Sequence, residues 1–184
     1  MSARETLLAE LREHALVIGE VTLSSGRTAQ YYVDAKRALL RPPAFRAAGE
    51  LIAAEAAERG ATAVGGMTMG ADPLACAAIG SQNGDGLIAF FVRKERKEHG
   101  LQRWIEGPEL AAGTRCLVVE DVVTTGGSTV RAIERIREEG LEVAGVTSVV
   151  DRLAGGGEAI EAAAEAPYRP LITIDDLYPD RPDR

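Results

Sequence analysis

Apolar positions along this chain change period several times, and each change predicts an element. Near the N-terminus Leu7, Leu8, Leu11, Ala15 and Ile18 recur at helical spacing between charged residues and share one face. A second helix is predicted over residues 44–59, with Phe45, Ala48, Leu51, Ile52 and Ala56 facing inward. Pro42 and Pro43 precede it and Gly60 stops it. Short apolar runs follow at Thr62–Gly66, Leu87–Val92, Cys116–Val119, Val143–Val150 and Leu171–Ile174. Helical segments at 73–82, 129–139 and 157–165 fill the gaps.

Strands that alternate with helices imply βαβ units, and strands apolar at every position have helices on both faces. The expected fold class is α/β: a mainly parallel sheet flanked by helices, in a single domain. Ligand sites in such sheets gather beyond the carboxyl ends of the strands. The polar tail DLYPDRPDR is expected to fray.

A length of 184 residues suits one domain with its own core. The net charge of −7 argues against general nucleic-acid binding, so an anion site must be local. Aromatic residues, at 4%, are too few for a base-stacking platform. No run approaches the roughly 18 apolar residues of a membrane span, and the N-terminus lacks a signal-peptide core. A cytoplasmic protein without membrane contact is expected. Cys76 and Cys116 lie in apolar stretches without CxxC spacing, as reduced core residues would.

The strongest chemical signal is CLVVEDVVTTGGSTVRAIERIREE, residues 116–139. An apolar strand runs into Glu120 and Asp121, then into TTGGST, then into a helix. Gly126 and Gly127 let backbone amides turn around an anion. Thr124, Thr125, Ser128 and Thr129 add hydroxyl donors. The helix start brings free N–H groups and the positive end of its dipole to the same point. Two carboxylates would repel a phosphate, so they should face hydroxyls or a metal shared with the ligand; a phosphorylated sugar satisfies both halves. No Lys follows the glycines and GxGxxG is absent, so neither a nucleoside-triphosphate loop nor a dinucleotide site is indicated. The competing reading is a turn whose Ser and Thr merely cap the helix.

The segment Val118–Thr129 resembles the signature of the type I phosphoribosyltransferases. The resemblance implies that fold, with residues 1–40 as a small N-terminal hood over the base site. It implies that Glu120 and Asp121 hold the ribose hydroxyls of phosphoribosyl pyrophosphate, Asp121 being catalytic as well. Val122, Val123, Thr124, Thr125, Gly126, Gly127 and Ser128 would hold the 5-phosphate.

Residues 93–107, RKERKEHGLQRWIEG, carry five basic residues among three acids. A charged stretch this long without an apolar face suits a mobile lid over a polyanion, though alone it would read as a solvated loop. It is similar to the catalytic loop of the orotate phosphoribosyltransferases at Arg93, Lys94, Lys97, His99 and Gly100. The resemblance implies that this loop reaches into the partner of a homodimer. There Arg93, Lys94, Lys97 and His99 would contact the donor, with Lys94, Lys97 and His99 catalytic. Cations placed where charge grows on the leaving pyrophosphate lower the barrier. His99 could also donate a proton.

Two further segments resemble that family. In VTLSSGRTAQYYVDAKR, residues 21–37, Ser25, Gly26, Tyr31 and Tyr32 match positions that close over orotate. In VVDRLAGG, residues 149–156, Arg152 matches the arginine that binds the orotate carboxylate, and Thr124 maps to another orotate contact. Some members carry lysines where this chain has Ser24 and, in GGMTMGADPLA, Gly70. Their absence puts more weight on Lys94, Lys97 and the metal. Mg²⁺ is implied, held mainly by substrate oxygens rather than by a protein cluster. The activity implied is transfer of ribose 5-phosphate to orotate, in pyrimidine biosynthesis. The alternatives are transfer to another nucleobase and a non-catalytic regulator that senses the donor.

Overall fold

Pleating explains the layers of this molecule, whose computed structural model describes residues 1–22, 28–96 and 103–183. Ser25, Gly26, Lys97 and His99 fall outside the described residues. Strands β3 (Ala63–Met67), β4 (Ile88–Val92), β6 (Arg115–Val123), β7 (Glu142–Asp151) and β8 (Tyr168–Thr173) run parallel, as the apolar runs predict. A short β5 (Ile105–Glu106) pairs antiparallel with β4, giving the order β5-β4-β3-β6-β7-β8. Successive side chains point to opposite faces of a sheet. Leu117 and Val119 therefore join one core, packed with Leu7, Leu11, Ile52 and Leu74. Cys116 and Val118 join the other, with Ile133, Ile136 and Ile160.

The first core is roofed by α1 (Ala3–His14), α3 (Pro42–Glu58) and α4 (Asp72–Ile79). The second is roofed by α5 (Gly127–Glu138) and α6 (Gly156–Ala164). Before α3 come a separate two-stranded hairpin, β1 (Leu16–Thr22) with β2 (Thr28–Val33), and one helical turn, α2 (Lys36–Leu39).

Several expectations are corrected. Helix α1 ends at His14; Ala15 caps it, and Ile18 lies on β1, 65% exposed. Pairing of Ile18 with Tyr31 decides this, because a three-residue apolar step fits a helix end and a strand start equally well. Cys76 is exposed on α4, whereas Cys116 is buried, its thiol pushed up to about 12 by burial. Within the charged segment 93–107, Ile105 and Glu106 form β5 at the sheet edge.

As far as Asp183 the tail is packed rather than frayed. Thr173 closes a capping box with Asp176 and starts α7 (Ile174–Leu177), which buries Leu177. Tyr178 then meets Tyr31 edge-on at 5.5 Å, and the Tyr31 hydroxyl donates to Asp183 at 3.0 Å. Strand β8 also begins earlier than predicted and includes Pro170, which an outermost strand tolerates.

Candidate active site

The same pleat that sorts the core separates the two adjacent acids at the end of β6. Glu120 follows Cys116 and Val118 to the α5 side, where its Oε2 accepts from the hydroxyls of Ser128 (2.8 Å) and Thr129 (3.2 Å). Asp121 follows Leu117 and Val119 to the other side, where its Oδ2 meets the Lys36 ammonium at 2.6 Å. Their inner oxygens converge again: a Cβ built on Gly70 would lie 2.7 Å from Asp121 Oδ1 and 2.9 Å from Glu120 Oε1. Glycine at this position lets both carboxylates approach the backbone closely; a side chain here would require their oxygens to shift.

These residues line a cavity of about 220 Å³ with Met67, Thr68, Met69 and Lys94. A second cavity of about 300 Å³ adjoins it at Ser128 and is walled by residues 122–128 and Arg131. Gly126 adopts a left-handed φ of 77° that aims the turn into α5, and no side chain caps that helix. The capping alternative therefore fails: Thr124 and Thr125 are exposed, and the Ser128 and Thr129 hydroxyls are spent on Glu120. Of the hydroxyls expected to face an anion, Thr124 and Thr125 remain free to do so, with the amides of the turn. Another cavity of about 300 Å³, bordered by Phe45, Glu50, Ala77 and Gln82, shares no residue with these two.

Lys94 lines the first of these cavities, and Arg93 lines a neighbouring one with it. The Arg93 amide donates to the Trp104 carbonyl at 2.9 Å, and its guanidinium meets Glu106 at 3.0 Å. Arg135 of α5 donates to the carbonyls of Arg93 (2.6 Å) and Lys94 (2.9 Å) and stacks 4.2 Å from the Trp104 ring. The Trp104 indole donates in turn to Glu138. One helix therefore supplies the cradle at its start and grips the root of the basic segment two turns later. Sequence reading missed this grip, which no local pattern announces.

Arg152 enters from β7, where Asp151 lies opposite Val123. The Arg152 amide donates to the Val123 carbonyl at 2.9 Å, and the guanidinium lies 5.3 Å from the Tyr31 ring. Its Nε is buried with no hydrogen-bond partner, a costly state that a ligand carboxylate would relieve. Strand alternation buries Tyr31 and leaves Tyr32 40% exposed, so Tyr31 is the ring beside Arg152. Lys36 belongs to the site although the sequence reading passed over it. Its only local signal is a basic residue two positions after Asp34 in a segment already matched.

Burial chiefly raises the Glu120 carboxyl to about 7; the Asp121 charge adds to this and the Ser128 hydrogen bond opposes it. Folding therefore retains a proton on Glu120 that the unfolded chain releases near 4.5. The resulting stabilisation is complete below that ordinary value and is lost as pH rises through about 7. Glu120→Gln removes the titration. From pH 5 to 8 the wild-type melting temperature should fall by several degrees relative to the variant's. Melting curves that stay parallel across that range would refute it.

The chain matches the phosphoribosyl transferase domain over residues 39–165. An orotate phosphoribosyltransferase of Corynebacterium glutamicum is 50% identical over 177 residues, 96% of this chain and 95% of the relative. The crystal structure of Mycobacterium tuberculosis orotate phosphoribosyltransferase with Fe(III) dicitrate superposes with a TM-score of 0.87 at 45% identity, covering 96% of this chain and 99% of that one. The same enzyme in complex with 5-phospho-α-D-ribosyl 1-diphosphate gives a TM-score of 0.81 at 41% identity, over 95% and 98% of the chains.

Proposed function

The chain belongs to the phosphoribosyl transferase family, and from that premise we propose that it transfers the 5-phosphoribosyl group from phosphoribosyl pyrophosphate to orotate, releasing orotidine 5′-monophosphate and pyrophosphate. The observation that carries the choice of acceptor is Arg152: a guanidinium beside the cradle with an unsatisfied buried Nε. A planar fork suits a carboxylate, which orotate has and neutral bases lack.

The donor's 5-phosphate takes the turn of residues 122–128, and its ribose hydroxyls donate to Glu120 and Asp121. As the C1–O bond breaks, negative charge grows on pyrophosphate and the ribose becomes oxocarbenium-like. Lys94, which lines the cavity, stabilises that charge. Lys97 and His99 serve the same purpose in this reading. Orotate, held through its carboxylate by Arg152 and flanked by Tyr31, Tyr32, Thr124, Ser25 and Gly26, presents N1 to C1.

Among the described residues no three acids, histidines or cysteines gather as a metal site. The hard carboxylate oxygens that line the cavity fit Mg²⁺ that arrives on the donor's own oxygens and keeps its waters. Asp121 and Glu120 would face it, and it would offset charge on the leaving group. The reading includes a hood formed by residues 1–40, and a homodimer in which residues 93–107 of one protomer serve the partner's site. No described helix is long and apolar enough to cross a membrane; the proposed setting is the cytoplasm.

The test follows orotate absorbance with phosphoribosyl pyrophosphate and Mg²⁺, beside uracil, adenine and hypoxanthine. Consumption of orotate alone supports the proposal. Turnover of another base instead would sink the choice of acceptor, and donor binding without any turnover would favour a sensor.

A further inference from the structure

We propose that Lys36 is a positioning residue for the sugar-diphosphate donor, acting through Asp121: it fixes that carboxylate and offsets its charge where a polyanion has to enter. The inference deepens the donor half of the reading above and rests on it.

The two acids are held by different kinds of partner. Glu120 receives neutral hydroxyls from α5. Asp121 receives the Val122 amide on Oδ1 (2.9 Å) and an ammonium on Oδ2 (2.6 Å), so both of its oxygens are held. The ammonium comes from a residue 85 positions away. Its delivery is rigid. The Asp34 amide bonds the Ala15 carbonyl, Arg37 and Ala38 bond back to Asp34 and Ala35, and Ala38 and Leu39 are buried in the first core. Lys36 thus starts a pinned helical turn with its ammonium reaching over the end of β6.

Charge in the cavity gives this contact its meaning. The lining residues include two acids, Glu120 and Asp121, and two cations, Lys36 and Lys94. Without Lys36 the described wall would lose one of its two cations, and the Asp121 carboxylate would face the entering diphosphate without a partner charge. Gly70 adds no side chain, and so no cation, to this wall. The Lys36 side chain is 47% exposed and that of Asp121 11%, so the ammonium is the solvent-facing member of the pair. Burial works against the Lys36 charge, yet the Asp121 hydrogen bond and charge, with Asp34 and Tyr32 nearby, raise its pKa.

The experiment titrates Mg²⁺–phosphoribosyl pyrophosphate calorimetrically into wild type, Lys36→Met, Lys36→Arg, Asp121→Asn and the Lys36→Met/Asp121→Asn double variant, with melting temperatures as a folding check. Lys36→Met should weaken donor binding about tenfold or more, as loss of a charged partner does. Lys36→Arg, which keeps the charge, should recover most of that loss. In the Asp121→Asn background Lys36→Met should add little, the signature of one residue acting through another. Steady-state kinetics should show the KM for the donor rising while that for orotate stays within about twofold, since the pair faces only the donor. Unchanged donor affinity in Lys36→Met, full additivity in the double variant, or no recovery in a folded Lys36→Arg overturns the proposal. Wild type that binds donor but ignores orotate sinks the acceptor reading alone and leaves these comparisons valid. Wild type that does not bind the donor overturns both.

Discussion

Replacing Arg152 with alanine is expected to lower kcat/KM for orotate by about 10²–10³-fold while the KM for phosphoribosyl pyrophosphate stays near its wild-type value. The size follows from what the guanidinium lacks now and gains on binding. Its Nε is buried without a partner, so the free protein already bears the cost of desolvating it. The Tyr31 ring 5.3 Å away and the amide bond to Val123 hold the residue in place, so little ordering remains to be done. A carboxylate meeting this fork makes two parallel charge-assisted hydrogen bonds. Truncating one partner of such a buried pair costs roughly 2–5 kcal/mol. Arg152→Lys should recover little, because an ammonium is a point donor and cannot match both oxygens. Initial rates with each substrate varied in turn provide the check. A loss that falls on the donor's KM instead would show that Arg152 serves the other half of the site.

Asp121→Ala should be comparably damaging, on the order of 10²–10³-fold in kcat/KM, with the loss on the donor side. The substitution removes the acceptor proposed for a ribose hydroxyl. It also leaves the Val122 amide and the Lys36 ammonium without the oxygens that now satisfy them. The two variants thus make opposite predictions about which substrate is felt, although the cradle at the end of β6 and Arg152 at the end of β7 are neighbours. Turnover of Asp121→Ala within about threefold of wild type, at donor concentrations below KM, would refute the acid pair's role.

Much of this was legible in the chain because it is local. Residues 116–139 hold a strand, two acids, a glycine turn and a helix in one continuous run. Each part has a physical signature of its own: an apolar run, a pair of charges, missing Cβ atoms, a 3.6-residue period. The layered, mainly parallel sheet follows nearly as directly, since strands apolar at every position must be roofed on both sides. The matched segments carried Arg93, Lys94, Tyr31 and Arg152 into the reading through resemblance, and the structure puts Lys94 beside the acid pair and Tyr31 beside Arg152.

Other features were illegible because their causes are distant in sequence. Whether Ile18 extends a helix or starts a strand depends on Tyr31, which it pairs with across the hairpin. The tail looked loose on composition, yet Tyr31 supplies both a ring for Tyr178 and a hydroxyl for Asp183. The grip of Arg135 on Arg93, Lys94 and Trp104 needs three segments at once. The sequence by itself determined the α/β class, the glycine turn and the identity of the two acids, since those properties belong to contiguous residues. Tertiary structure alone decided that Glu120 faces hydroxyls while Asp121 faces Lys36. The pleat of β6 turns adjacent side chains to opposite faces, and only the folded chain determines what waits on each.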